Sequence, residues 1–292
     1  YATIFKALSL GNLSMFWENI PAGVGQNVTF VPRMQGFAEA IAAIDRAQAA
    51  ITANPISPAF LGNIPEGIDI PNTLHALEAR YALFSGDNER ALSAANSVDL
   101  NVASVFSFDA LTLNPIFEVA TSTNNVFQPL NEQLGLPPSL APDPADQRVP
   151  FYTSINPTIL PRVRIDGFGA TGTTPFPVYL PGEMMLIKAE AYARLDDPGN
   201  ALIQLNNVVT KTPASDPLGV GAGLPPLTGP LDQGQLLEQI YKHRSIELFM
   251  SGLKLEDMRR FNRPASERTR LFFPYPFTER DNNPNTPADP AN

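Results

Sequence analysis

The sequence predicts a mainly α fold in which helical hairpins are interrupted by one long, loop-rich insertion. The reading rests on apolar stripes at helical spacing, two copies of one helix-turn-helix pattern, and a stretch rich in phenylalanine and proline that lacks helical period. With 292 residues and an ordinary apolar fraction, the chain can bury a substantial core.

The first helix is expected near the start, where Ile4, Phe5, Leu8, Asn12, Met15 and Phe16 form an amphipathic pattern. With that pattern at the very start no signal peptide is expected here, and the chain reads as the latter part of something longer or as a trimmed piece. Phe37, Ile41, Ile44, Ala47 and Ile51 mark a second helix with one buried face. A loop rich in proline and glycine follows, and then a third helix with Leu74, Leu77, Tyr81 and Phe84 inward. Gly86 should end that helix and Asp87 should cap the next, which buries Ala91, Leu92, Ala95 and Val98. In "GEMMLIKAEAYARLDDPGNALIQLNNVV", Met185, Ala189, Tyr192 and Leu195 are expected to share a face. Asp197 is an N-cap there, with Pro198 at the first helical position, where its missing N–H costs nothing. "RYALFSGDNERAL" and "AYARLDDPGNAL" align with a one-residue difference in the turn, so the hairpins are diverged copies of a tetratricopeptide-like unit. Residues 1–100 and 182–262 are thus read as helical hairpins, 101–181 as the insertion and 263–292 as an extended tail, all within a single domain.

The insertion gathers Phe106, Phe108, Phe117, Phe127, Phe151, Tyr152, Phe168 and Phe176 among Pro, Asn, Thr and Gly. "NPIFEVAT" reads as a short strand, "GFGATG" as a loop, and the aromatic content argues for order.

Several functions are disfavoured by composition. A net charge of -9 opposes nucleic-acid binding, which needs a concentrated positive field. No apolar run is long enough for a membrane helix. The absence of cysteine excludes disulfides and thiolate sites. His75 and His243, the only histidines, sit beside helical stripes and read as packed or solvated rather than as a base or metal ligand. No cofactor or metal motif is present, and no catalytic residue is assigned.

The basic residues instead gather in "HRSIELFMSGLKLEDMRRFNRP", a helix, a glycine, and a second helix ending at a proline. Arg244 and Glu247 lie three apart on one face, Gly252 supplies a left-handed stop, Leu255, Met258 and Phe261 point inward, and Glu256 pairs with Arg260 on the outside. This stretch is read as a structural clasp of Arg244, Glu247, Gly252, Asp257 and Arg260, because partly buried Arg–carboxylate networks more often fix register than bind.

"WENIP", "ARYALFSGDNERAL", "NPIFEV", "MLIKAEAYARL", the clasp and "FPYPFTERDNNPN" occur in an order that resembles the carboxy-terminal majority of the SusD/RagB family. Arg244, Glu247, Leu248, Gly252, Asp257 and Arg260 stand at that family's pattern positions, as do Glu279 and the Asn283-Pro284 pair. Ser251, Lys254 and Phe261 depart from its usual residues. The resemblance implies a SusD-like α-α superhelix in which the clasp is structural. It implies an outer-membrane, surface-exposed lipoprotein, its anchor outside this chain, that delivers a ligand to a SusC-type TonB-dependent transporter. Sugar rings stack on flat aromatic side chains while amides and charged groups take the hydroxyls. Tyr152, Phe151, Phe106, Phe108, Arg148 and Asn125 are therefore the expected ligand residues, for a glycan oligomer or a peptide, and Trp17 is expected in the core. The alternatives are a helical-repeat scaffold for a protein partner, and a glycoside hydrolase, whose paired carboxylates leave no mark in sequence.

Overall fold

The computed structural model describes residues 1–122, 127–156, 163–268 and 270–290. It is mainly helical, as the sequence predicts. Helix α1 (Ala2–Phe16) leads through a small antiparallel hairpin of β1 (Asn19–Pro21) and β2 (Phe30–Pro32) into α2 (Arg33–Ala53). After one turn, α3 (Pro58–Leu61), come α4 (Ile70–Ser85) and α5 (Asn88–Asn96).

The caps that delimit the first predicted hairpin are those read from the sequence. Gly86 adopts φ +88°, and the Asp87 side chain accepts the Arg90 N–H at 3.0 Å. Gly11 on α1 faces the Tyr81 ring so closely that a Cβ there would lie 2.2 Å from it, which fixes how near α1 and α4 approach. Phe37 of α2 stacks on that same ring at 5.8 Å.

The insertion begins and ends as one antiparallel pair, β3 (Val105–Phe106) against β6 (Phe176–Pro177). Between them lie α6 (Arg148–Tyr152) and the pair of β4 (Thr153–Ile155) with β5 (Val163–Ile165). The strand expected from "NPIFEVAT" is instead a helical turn, Phe117–Thr121. Asn114 explains the difference: its side-chain oxygen accepts the Ile116 N–H at 2.8 Å and Pro115 follows it, the arrangement that starts a helix. "GFGATG" forms a short 3₁₀ turn at Gly167–Gly169.

The second hairpin is α7 (Pro181–Arg194) and α8 (Pro198–Thr210), with Asp197 capping through the Asn200 N–H at 3.0 Å. The predicted stripe on α7 is corrected. Met185 and Tyr192 are half-buried and Leu195 is exposed, whereas Met184, Leu186, Ile187, Ala191 and Ala193 are buried. Helix α7 is buried nearly all round, because it separates two core clusters. Met184 and Ile187 belong to one, with Phe37, Leu77 and Tyr81; Leu186 and Ala189 belong to the other, with Leu205, Val208 and Ile240. Helix α9 (Gln233–Glu247) closes the second cluster, and with α10 (Lys254–Arg260) it carries the clasp.

Among its described residues the tail is extended except for a 3₁₀ turn at Ala265–Glu267 and one short helix, α11 (Phe277–Asn282). It runs back over the end of α1 and the β1–β2 hairpin: the Phe273 N–H donates to the Phe16 carbonyl at 2.8 Å, and Asn283 Nδ2 to the Val28 carbonyl at 3.0 Å. Trp17 is half-buried there rather than in the core, its indole N–H donating to the Pro274 carbonyl.

Candidate functional site

A buried network of charges ties the helices together at the clasp. Arg244 on α9 holds Asp257 on α10 with two hydrogen bonds of 2.9 Å. Arg260 donates to both oxygens of Glu190 on α7, at 2.7 and 2.8 Å, and to Asp257 at 2.8 Å. Glu247 receives Arg148 at 3.0 Å and Lys211 at 2.7 Å. Planar guanidinium groups meet carboxylates in matching two-point geometry, which fixes both distance and angle between elements. Two pairings expected from helical spacing are therefore corrected. Arg244 pairs with Asp257 rather than sitting beside Glu247, and Glu256 is buried with Arg33 at 2.8 Å and with Arg259, not exposed with Arg260. Gly252 does take a left-handed φ of +80°, yet α9 has already ended at Glu247.

Burial of Glu190 opposes its ionisation, but Arg260, with Arg244 and Arg194 nearby, outweighs that and holds its carboxyl down to about 2. The folded value lies below the unfolded one, so this stabilisation is present above pH ~4.5 and is lost as pH falls toward 2. Urea unfolding between pH 6 and pH 2 should lose about 3 kcal/mol from this group, and Glu190→Gln should remove that part of the acid dependence.

Tyr152 and Arg148, expected at the ligand face, are interior groups. Both are 0% exposed. The Tyr152 hydroxyl donates to the Glu247 carbonyl at 2.6 Å, and Arg148 also holds Asp146 with bonds of 2.9 and 2.7 Å. The hydroxyl that was expected to serve a wet surface is spent on the backbone of α9. Arg148 Nη2 also lies 3.0 Å from His243 Nδ1; an arginine can only donate, so that nitrogen is the acceptor. Burial and the Arg148 charge push His243 well below its ordinary pKa, and it stays neutral. His75 lies at the surface of the first hairpin beside Gln48 and Glu78.

Phe151 is half-buried against Tyr152 and Phe168. Asn125 lies outside the described residues. Phe106 and Phe108 are half-buried and line open space. Phe106 borders two hollows. One, of about 240 Å³, is walled by Tyr1, Glu66, Ile68, Ser107 and Phe108. The other, of about 160 Å³, is walled by Phe168, Phe176, Tyr179 and Phe249, with Asn12 and Ser251 as polar groups and the Arg80–Glu183 pair among its lining. Arg80 and Glu183 bond at 2.6 and 2.7 Å. Strand pairing of β3 with β6 sets Phe106 opposite Phe176, which is why rings 70 residues apart share one wall. Phe249 and Tyr1 were not singled out in the sequence. Phe249 sits within the clasp sequence, and Tyr1 joins only through ring contacts, 5.1 Å to Phe5 and on to Phe106 at 6.2 Å. Among the described residues, no group of three or more His, Asp or Glu could hold a metal ion.

The sequence model of the SusD family matches residues 166–289, the span that holds β6, the clasp and the tail. Over that span the chain carries the sequence pattern of the SusD family. The network crosses the amino-terminal edge of this match, since Arg33, Arg80 and Arg148 precede it while their partners Glu256, Glu183 and Glu247 lie inside. The fold is similar to that of a SusD-like carbohydrate binding protein from Bacteroides vulgatus, at 16% identity and TM-score 0.68, over 89% of this chain and 62% of that one. Two SusD superfamily proteins from Bacteroides fragilis are also similar. One has 15% identity and TM-score 0.68, over 97% of this chain and 74% of the other. The second has 12% identity and TM-score 0.70, over 99% and 78%. This chain thus spans less than two thirds of the first of these structures. No curated protein matches the sequence. Among the described residues, no helix is long and apolar enough to cross a membrane.

Proposed function

We propose that this protein captures a glycan oligomer without transforming it, at the outer cell surface, and passes it to a SusC-type TonB-dependent transporter. The observation that carries the reading is the position of Phe106. Its ring edges two hollows and has Tyr1, Phe108, Phe168 and Phe176 around it, with Glu66, Ser107 and Asn12 in reach as hydroxyl partners. Pyranose rings offer apolar C–H faces to such rings, and scattered polar groups set orientation. The match of residues 166–289 to the SusD family model, and likeness in fold to a protein described as carbohydrate binding, support the same reading. On this view the hairpins of residues 1–100 and 182–262 are the scaffold, residues 101–181 carry the ligand face, and an anchor beyond this chain would hold the protein to the outer membrane as a lipoprotein.

Calorimetry with oligosaccharides selected on a glycan array tests this. Phe106→Ala and Phe108→Ala should each weaken binding by about tenfold, equivalent to roughly 1.4 kcal/mol, and the oligosaccharide should be recovered intact. Tyr152→Phe should leave affinity unchanged. Affinity untouched by both phenylalanine changes would remove the site, sustained turnover would establish a hydrolase, and transporter binding with no glycan response would leave the protein-binding scaffold.

A further inference from the structure

A third hollow, of about 460 Å³, lies between α9, α10 and the turn at residues 134–136. Its size falls in the roughly 300–1,000 Å³ range of small-molecule sites. Leu134, Leu136, Leu248 and Met250 make its walls apolar, while Arg244 and Lys254 bring two cations to it. Asp257 is the one carboxylate among the lining residues, and it is already engaged by Arg244 and Arg260. The lining therefore carries an excess of positive charge in a chain whose net charge is -9.

Both cations have donor capacity left over. Arg244 is 1% exposed and spends Nε and Nη2 on Asp257, but its buried Nη1 has no hydrogen-bond partner. A buried, unpaired guanidinium N–H is costly and calls for an acceptor. Lys254 is half-buried; its ammonium bonds Ser245 Oγ and lies 4.0 Å from the centre of the Tyr241 ring. Asp257 and Glu267 attract it, but they form their ion pairs with Arg244 and Arg260, and with Arg263. Burial, opposed by those carboxylates and aided by Arg263 and Arg244, pulls Lys254 down to about 8, the behaviour of an ammonium short of counter-charge.

The walls carry an independent mark. Among the described residues, the non-glycine positions with positive φ are Asn27, Leu134, Asp196, Met250 and Asn262. Asparagine and aspartate tolerate that conformation; leucine and methionine pay for it. Both apolar exceptions, Leu134 at φ +59° and Met250 at φ +68°, line this one hollow. The turn that carries Leu134 is fixed by Asn131, whose side-chain oxygen accepts the Gln133 and Gly135 N–H groups at 2.9 and 3.0 Å. Strained backbone persists where the surroundings hold it, and it concentrates at ligand sites.

We propose that this hollow is a binding site for a carboxylate carried on a compact apolar-faced ring, received by Arg244 and Lys254 and flanked by Leu134 and Met250. Choosing a sugar acid as the carrier rests on the glycan reading above; the anion site itself does not, and Phe106 does not line this hollow.

The probe is sodium D-glucuronate, followed by thermal unfolding and by calorimetry, beside equimolar glucose and sodium sulfate. Glucuronate should raise the melting temperature of the unaltered chain and glucose should not. Lys254→Gln should weaken glucuronate at least tenfold, and Lys254→Arg should retain it. Phe106→Ala should not affect this response, and Lys254→Gln should not affect neutral oligosaccharides, so failure here is separable from failure of the glycan site. A glucuronate response absent from the unaltered chain, equalled by glucose, or unchanged in Lys254→Gln would overturn the site. A sulfate response as strong as that of glucuronate would overturn its assignment to a carboxylate.

Discussion

Arg148→Ala should cost about 3–5 kcal/mol of stability, the price of breaking a buried ion pair by removing one partner. Arg148 is 0% exposed and serves Asp146, Glu247 and His243 at once. Its loss strands Asp146 in the interior and leaves Glu247 to Lys211 alone. Against a total of roughly 5–15 kcal/mol for a typical domain, that is a large share. Urea unfolding followed by far-ultraviolet circular dichroism should show the midpoint fall steeply. An unchanged midpoint together with a loss of glycan affinity would return Arg148 to the ligand face, where the sequence had placed it.

Gly182→Ala should also be destabilising, for a steric reason. A Cβ at Gly182 would lie 1.8 Å from Glu247 Oε1 and 2.4 Å from its Cδ. A flexible side chain could step aside, but this carboxylate is clamped by Arg148 at 3.0 Å and Lys211 at 2.7 Å. Either the first turn of α7 moves away from α9, an overpacking cost of about 1–3 kcal/mol, or the carboxylate leaves its partners at about 3–5 kcal/mol. Gly199 is the control. A Cβ there meets nothing nearer than 3.8 Å, so Gly199→Ala should be neutral or slightly stabilising in the same measurement.

How much of this could be read from the sequence differs by kind of interaction. Caps such as Gly86, Asp87 and Asp197 were legible because each acts within four residues of itself. The membership of the clasp was legible for the same reason, since Arg244, Glu247, Asp257 and Arg260 fall in one short stretch. Their partners were not. Helical spacing ranks neighbours along one face, whereas Glu247 meets Arg148 across 99 residues and Arg260 meets Glu190 across 70. The helical turn in place of a strand at Phe117 was missed because a single side chain, Asn114, overrode the local strand preference.

The candidate ligand residues divide along the same line. That the insertion would be rich in aromatic rings came from composition; which of the described rings face open space came from strand pairing and helix packing. The β3–β6 pair keeps Phe106 at the wall of two hollows, while the end of α9 draws the Tyr152 hydroxyl inward.

By itself the sequence determined the helical hairpins, their caps and the residues from which an acid-base lock would be made, because these depend on period and short-range hydrogen bonding. Only the tertiary structure decided who pairs with whom, which aromatic rings stay accessible, and where Arg244 and Lys254 retain unused donors. Those outcomes depend on desolvation and distance between segments far apart in the chain, and neither quantity has a period to be read.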